Sequence, residues 1–152
     1  MMDIPGPQSS FEPFHDAAVG VVIVTHYRLG EEFLQALRLI VPQAPEFHSV
    51  SIEPTQGVEE MRGRIAAALE EADQGEGVLV LTDMFGGTPS NVSLSFLDEH
   101  PVEVVTGLNL PMLIKLATLQ ESGSLEELAT FIKDYGRRNI SVASEILPDG
   151  GS

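Results

Sequence analysis

The sequence contains no cysteine and no tryptophan. Without cysteine the chain can form no disulfide, use no thiolate nucleophile and build no cysteine-ligated zinc site. It also has no run approaching the ~20 apolar residues that a membrane span needs, and no basic start followed by an apolar core that would indicate a signal peptide. These absences predict a cytoplasmic protein that does not insert into a membrane.

Basic residues are scarce as well. The chain has 8 Lys and Arg against 23 Asp and Glu, for a formal net charge of −15, and its only lysines are Lys115 and Lys133. So negative a protein repels nucleic acids and anionic membrane surfaces, although acidic surfaces also serve simply to keep a small protein soluble. No phosphate-binding loop of the G-x-x-x-x-G-K-[ST] type is present, so ATP is a poor candidate for a phosphate source.

The histidines and carboxylates do not recur with the spacing of metal ligands. His15, His48 and His100 are isolated beside proline, serine or acidic residues, and we interpret them as ordinary loop or surface histidines. The sequence therefore predicts neither a metal site nor any other cofactor.

Apolar patterning begins near Val19. Residues 1–18 contain three prolines and no periodic apolar pattern, which is typical of a loose N-terminal extension. The 43% of residues that are hydrophobic suffice for one core. We therefore expect a single domain over 19–147, followed by a flexible C-terminus over 148–152.

Short apolar runs rich in β-branched residues alternate with segments of helical spacing. The runs that predict strands cover 19–25, 47–52, 77–83 and 102–107. Such alternation is typical of an α/β, doubly wound, mainly parallel sheet with helices on both faces. Two more predicted helices follow, one starting near Asn109 and one over 124–135. A final strand is predicted over 139–147.

Two titratable residues end predicted strands, His26 after the first and Asp83 after the third. Ligands of such sheets bind beyond the carboxyl ends of the strands. If the strand order is 2-1-3-4, the two side chains face one crevice, and a carboxylate that accepts the Nδ1 proton leaves Nε2 free as a nucleophile. The plainer alternative is that His26 merely ends a strand.

The segment Gly86-Gly87-Thr88-Pro89 follows Asp83. Thr88 suits a helix N-cap and Pro89 the first helical position, so free backbone amides would surround this turn and could hold an anion. Taken alone, the Gly-Gly pair is explained about as well by a tight turn with nothing bound. The presence of His26 favours the anion site. With no nucleotide or metal required, a phosphoryl group could arrive already activated on the histidine of another protein.

At these loops the sequence resembles the IIA component of the mannose/fructose/sorbose family of the bacterial phosphoenolpyruvate-dependent sugar phosphotransferase system. The resemblance rests on "GVVIVTHYRLGEEFLQAL" (20–37), "VLVLTDMFGGTPSNVSL" (78–94) and "VVTGLNLPML" (104–113), and it extends over roughly 19–145. It implies a phosphotransferase in which His26 accepts a phosphoryl group at Nε2 from the phosphocarrier HPr and passes it to a IIB component. The other implied roles are an Nδ1 partner (Asp83), a phosphoryl-binding turn (Gly86, Gly87, Thr88) and pocket walls (Met84, Phe85).

The resemblance also implies a homodimer, in which 139–147 forms an antiparallel strand exchanged between subunits. Tyr27, directly after the histidine, is bulkier than the small residue that the family leads us to expect. Three alternatives stay open. The chain could be a stand-alone regulatory phosphoprotein of the same system, a phosphotransfer subunit of a dihydroxyacetone kinase, or, least favoured, a flavin-binding protein of flavodoxin type.

Overall fold

The computed structural model describes residues 18–120 and 123–148. Within them the predicted alternation of strands and helices is confirmed. The elements in chain order are β1 (Gly20–His26), α1 (Leu29–Ile40), β2 (His48–Ile52), α2 (Val58–Ala72), β3 (Val78–Thr82), α3 (Thr88–Leu94), β4 (Val102–Thr106), α4 (Leu110–Thr118), α5 (Leu125–Arg138) and α6 (Ala143–Ile146). Of the predicted N-terminal extension, 1–17 lies outside the described residues, as does 149–152 of the predicted C-terminus.

The four strands form one parallel sheet in the order β2-β1-β3-β4. This is the predicted 2-1-3-4 order, with β1 and β3 side by side in its centre. Val24 of β1 pairs with Thr82 of β3. Because both strands run in the same direction, their carboxyl ends meet at one edge of the sheet, and the loops that follow them are neighbours.

The central strands are buried on both faces, which explains their continuous apolar runs. Val21 and Ile23 of β1 pack in a core cluster with residues of α1, α4 and α5. Val22 and Val24 pack on the opposite face with residues of α2 and α3. The helices thus cover both faces of the sheet, and the ends of β1 and β3 project from a core that is closely packed on each side.

The C-terminal segment differs from the predicted strand. In the single chain, no strand forms over 139–147; instead Ala143–Ile146 is a short helix, closed by a hydrogen bond from the Leu147 N–H to the Ala143 carbonyl at 3.2 Å. The physical reason is that a strand needs a neighbouring strand to satisfy its backbone groups, and the prediction placed that neighbour in a second subunit. Four large apolar side chains of this segment are exposed: Ile140, Val142, Ile146 and Leu147.

Candidate functional site

His26 and Asp83 are joined by two hydrogen bonds at the carboxyl edge of the sheet. His26 is the last residue of β1, and Asp83 directly follows β3. Asp83 Oδ2 lies 2.8 Å from His26 Nδ1 and also accepts the backbone N–H of His26 at 3.1 Å. The strand order therefore brings together the two residues that the sequence singled out, and it does so through both the side chain and the backbone of the histidine.

The remaining contacts of Asp83 hold its carboxylate in place. Its second oxygen, Oδ1, accepts the N–H of Met84 at 3.1 Å. The Asp83 side chain is only 13% exposed, whereas that of His26 is 42% exposed. An ionised carboxylate can only accept hydrogen bonds, so His26 Nδ1 is the donor of the pair and, in the neutral ring, Nε2 carries the lone pair. The accessible imidazole is thus presented with its nucleophilic nitrogen directed away from the aspartate.

Gly87 lies directly against the edge of the imidazole that contains Cε1 and Nε2. A Cβ atom at this position would lie 2.7 Å from His26 Cε1 and 3.1 Å from His26 Nε2. The φ angle of Gly87 is −87°, a value open to any residue, so the requirement for glycine here is steric. Gly86 is the reverse case, because its φ of +92° favours glycine while no atom lies within 4 Å of an added Cβ. The two adjacent glycines therefore serve different purposes.

The turn after Gly87 begins α3 one residue earlier than predicted. Gly87 is the N-cap and Thr88 is the first helical residue, with Pro89 second. The N–H groups of the first helical turn, here those of Thr88 and Ser90, have no acceptor within a helix. Thr88 is exposed. The structure thus places Gly86, Gly87 and Thr88 in one turn, with Gly87 beside the imidazole.

Two large apolar side chains of this loop are open to solvent. Met84 is 52% exposed and Phe85 is 71% exposed. Met84 lies against Gly87, because its Cγ would be 3.5 Å from a Cβ atom on that glycine. Tyr27, which directly follows His26, is 58% exposed. Tyr27, Met84 and Phe85 lie in the neighbouring loops that follow β1 and β3, and we call them the apolar rim. The sequence predicted Met84 and Phe85 as pocket walls.

The comparisons with known proteins agree with this geometry. The family model described as "PTS system fructose IIA component" matches residues 20–133. The chain belongs to this family. It is 29% identical over 113 residues to the PTS system sorbose-specific EIIA component of Lacticaseibacillus casei, covering 74% of this chain and 81% of that protein. It is 26% identical over 130 residues to the PTS system fructose-specific EIIA component of Bacillus subtilis (strain 168), covering 85% of this chain and 89% of that one.

A solved structure supports the same assignment. The mannose/sorbose specific IIA subunit of the phosphotransferase system from Enterococcus faecalis superimposes with a TM-score of 0.74 at 32% identity, over 82% of this chain and 93% of that one. The resemblance inferred from the loop motifs is therefore confirmed. The protein is a IIA component of the mannose/fructose/sorbose group of the sugar phosphotransferase system, and thus a phosphotransferase component in the general sense.

The third sequence motif, 104–113, is hydrogen-bonded to the end of β3. The N–H groups of Gly107 and Leu108 each donate to the carbonyl of Thr82 at 3.0 Å, next to Asp83. Asn109 then accepts the N–H of Met112 at 3.2 Å and donates to the Gly136 carbonyl at 3.0 Å. Sequence reasoning gave Asn109 no role; as an asparagine just before Leu-Pro at a helix start, it carried the signal of an N-cap. Its hydrogen bonds join the start of α4 to α5.

The part of the chain that the structure describes offers no second site of comparable definition. A cavity of about 690 Å³ lies at the opposite end of the sheet from His26, with Gly20, His48 and Leu116 among its lining residues. Among residues 18–120 and 123–148, no group of three or more His, Asp or Glu side chains could hold a metal ion. None of the described helices is both long enough and apolar enough to cross a membrane.

The contact between Gly87 and the imidazole yields a direct prediction. Gly87→Ala should displace the His26 ring and weaken its bond to Asp83, because the added methyl group would lie 2.7 Å from Cε1. The nitrogen resonances of the His26 ring, followed by NMR in the ¹⁵N-labelled protein, should shift while the fold persists. Gly63→Ala is the matched control, since nothing lies within 4 Å of an added Cβ in the middle of α2. Unchanged His26 resonances in Gly87→Ala would contradict the contact.

Proposed function

We propose that this IIA component relays phosphoryl groups in sugar uptake, accepting them on His26 Nε2 from phosphorylated HPr and passing them to a IIB component. The observation that carries the proposal is the 2.8 Å bond between His26 Nδ1 and Asp83 Oδ2, which leaves Nε2 as the nucleophile. Membership of the family supports the choice of partners. A relay of this kind operates in the cytoplasm.

The chemistry follows from the two ring nitrogens. The lone pair of His26 Nε2 attacks the phosphorus of the phosphohistidine on HPr, so that the new N–P bond forms as the old one breaks and the HPr imidazole leaves. The substituted His26 ring then carries a positive charge with its proton on Nδ1. Asp83 stabilises this cation through a charge-assisted hydrogen bond. Attack by the nucleophile of the IIB component on the same phosphorus returns His26 to its neutral state.

The glycine turn is the proposed binding site for the phosphoryl oxygens. Gly87 leaves space beside Nε2 that any larger residue would fill. The N–H of Thr88 and its hydroxyl stand at the start of α3, where backbone donors favour an anion. Gly86 supplies the left-handed turn that leads into this segment. Together they offer neutral donors for an oxyanion in a protein that has few basic side chains.

The apolar rim is the proposed docking surface for the protein partners. Tyr27, Met84 and Phe85 are each more than half exposed, and they lie in the loops that follow His26 and Asp83. Exposed apolar side chains gathered at one place are typical of interaction sites. In this proposal the downstream acceptor is a IIB component. The alternative is a regulatory protein that docks at the same rim.

The phosphorylation assay tests the relay. Incubation with phosphoenolpyruvate, enzyme I and HPr should add one acid-labile phosphoryl group, detected by intact-protein mass spectrometry. His26→Gln should abolish the addition, whereas His48→Gln should keep it, since His48 lies at the far end of the sheet. Undiminished labelling of His26→Gln would refute the assignment. Labelling of the native protein without transfer to any IIB component would favour the regulatory role.

Removal of the Asp83 charge should slow the relay without unfolding the protein. Asp83→Asn should lower the single-turnover rate of phosphorylation by about 10- to 100-fold, because a hydrogen bond to a charged group contributes roughly 1.5–3 kcal/mol and each ~1.4 kcal/mol is a factor of ten. Asp98→Asn is the control, as Asp98 is an exposed residue beyond α3. Equal rates for Asp83→Asn and Asp98→Asn would contradict the proposed role.

The folded unit that we propose, 19–147, is completed as a homodimer by exchange of the C-terminal segment. The four exposed apolar side chains of 139–147 support this exchange. Light scattering should give twice the chain mass for the native protein. Val142→Asp should give a monomer, since a charge would be buried in the exchanged strand, and Ser141→Asp, whose side chain alternates to the other face, should remain dimeric. A native monomer would contradict the exchange.

A further inference from the structure

Tyr27 has a backbone conformation that is unusual for its residue type. Among the described residues it is the one non-glycine residue with positive φ, at +48°, and it directly follows His26. The left-handed region costs a residue with a side chain roughly 1–2 kcal/mol. Such strain persists only where the surrounding structure holds it. The Tyr27 side chain is 58% exposed, so packing of its ring is not the main restraint.

The buried hydroxyl of Thr25 is hydrogen-bonded to the backbone of Tyr27. Thr25 is 0% exposed, and its Oγ1 accepts the N–H of Gly30, in the first turn of α1, at 2.8 Å. The same oxygen lies 3.4 Å from the carbonyl of Tyr27, to which it donates a long hydrogen bond. On the other side, the Tyr27 N–H donates to the Ile52 carbonyl at 2.8 Å. One hydroxyl therefore joins the strained residue to the start of the following helix.

The corresponding residue of β3 makes only part of this arrangement. Thr82 is also 0% exposed and directly precedes Asp83, the partner of His26. Its hydroxyl lies 3.5 Å from the Met84 carbonyl. No described backbone N–H donates to it, and the φ of Met84 is not positive. The combination of a strained residue and a hydroxyl with two partners thus belongs to the histidine loop, and Thr82 serves as an internal comparison.

We propose that Thr25 is a positioning residue for phosphoryl transfer, acting through the left-handed backbone of Tyr27 on the orientation of His26. Asp83 Oδ2 accepts both the backbone N–H and Nδ1 of His26, so rotation of the backbone between His26 and Tyr27 would disturb both bonds together. The Thr25 hydroxyl opposes that rotation. This inference rests on the proposed function of His26 and deepens it by naming what holds the nucleophile in place.

The first test compares substitutions at Thr25. Thr25→Val keeps the shape of the side chain without its hydroxyl, and it should slow phosphorylation of His26 by phosphorylated HPr by about tenfold, since small displacements of a reacting group cost up to about 100-fold. Thr25→Ser keeps the hydroxyl and should therefore keep a rate close to that of the native protein. Thr82→Val, which removes a buried hydroxyl from the neighbouring strand, should have a smaller effect. Equal slowing by Thr25→Val and Thr82→Val would overturn the proposal.

A second measurement separates positioning from a general loss of stability. The NMR signal of the proton on His26 Nδ1, recorded without any phosphocarrier, should shift or exchange faster in Thr25→Val and stay unchanged in Thr25→Ser. If the native protein takes no phosphate but this signal responds as expected, the relay fails and the positioning stands. If the signal does not respond in Thr25→Val, the positioning is refuted.

Substitutions at Tyr27 keep the test decisive even if Thr25→Val does not fold. Both Tyr27→Val and Tyr27→Asn remove the aromatic ring, but only asparagine readily adopts positive φ. The His26 Nδ1 signal should therefore be displaced in Tyr27→Val and close to native in Tyr27→Asn. The same response in both variants would show that the left-handed conformation does not orient the histidine.

Discussion

The hydrogen bond between His26 Nδ1 and the Asp83 carboxylate joins the ends of two adjacent parallel strands, and the rest of the site depends on it. Its geometry is set deep in the protein, because the pairing of Val24 with Thr82 fixes how far each strand extends. Both strands are buried on both faces, so neither can slide without exposing the core. The orientation of His26 is therefore fixed by the buried strands, while 42% of its side chain remains exposed.

The site combines this pair with backbone N–H donors. The negative charge of the chain explains why neutral donors matter here. In the proposed relay, a protein with a net charge of −15 receives and releases an anion. Arg28, two residues after His26, is exposed, and its Nε lies 3.5 Å from Glu31 Oε1. The carboxylate of Glu31 therefore offsets part of the positive charge of Arg28. In our account the neutral N–H groups of the turn after Gly87 serve in place of basic side chains. Weak, uncharged contacts suit a carrier, which must release its phosphoryl group as readily as it accepts it.

Much of the fold and the pairing of His26 with Asp83 could be predicted, because the determining signals are local. Apolar runs of β-branched residues mark the buried strands, and His26 and Asp83 stand directly at the ends of two of them. The left-handed conformation of Tyr27 could not be predicted, since tyrosine carries no preference for it and the contacts of Thr25 arise only in the folded loop. The segment 139–147 has an alternating apolar pattern, yet in the single chain it contains a short helix, Ala143–Ile146. In the proposed dimer, a strand there depends on a second chain that the pattern does not describe.

The central claim is that the phosphoryl group is carried on Nε2 of His26 while Nδ1 keeps its proton for Asp83. The most direct test is a long-range ¹H–¹⁵N correlation spectrum of the phosphorylated, ¹⁵N-labelled protein, which distinguishes the two ring nitrogens. The account predicts phosphorus attached at Nε2 and a protonated Nδ1 hydrogen-bonded to the carboxylate. Phosphorus attached at Nδ1, or a His26 ring unchanged while another residue carries the phosphoryl group, would contradict it.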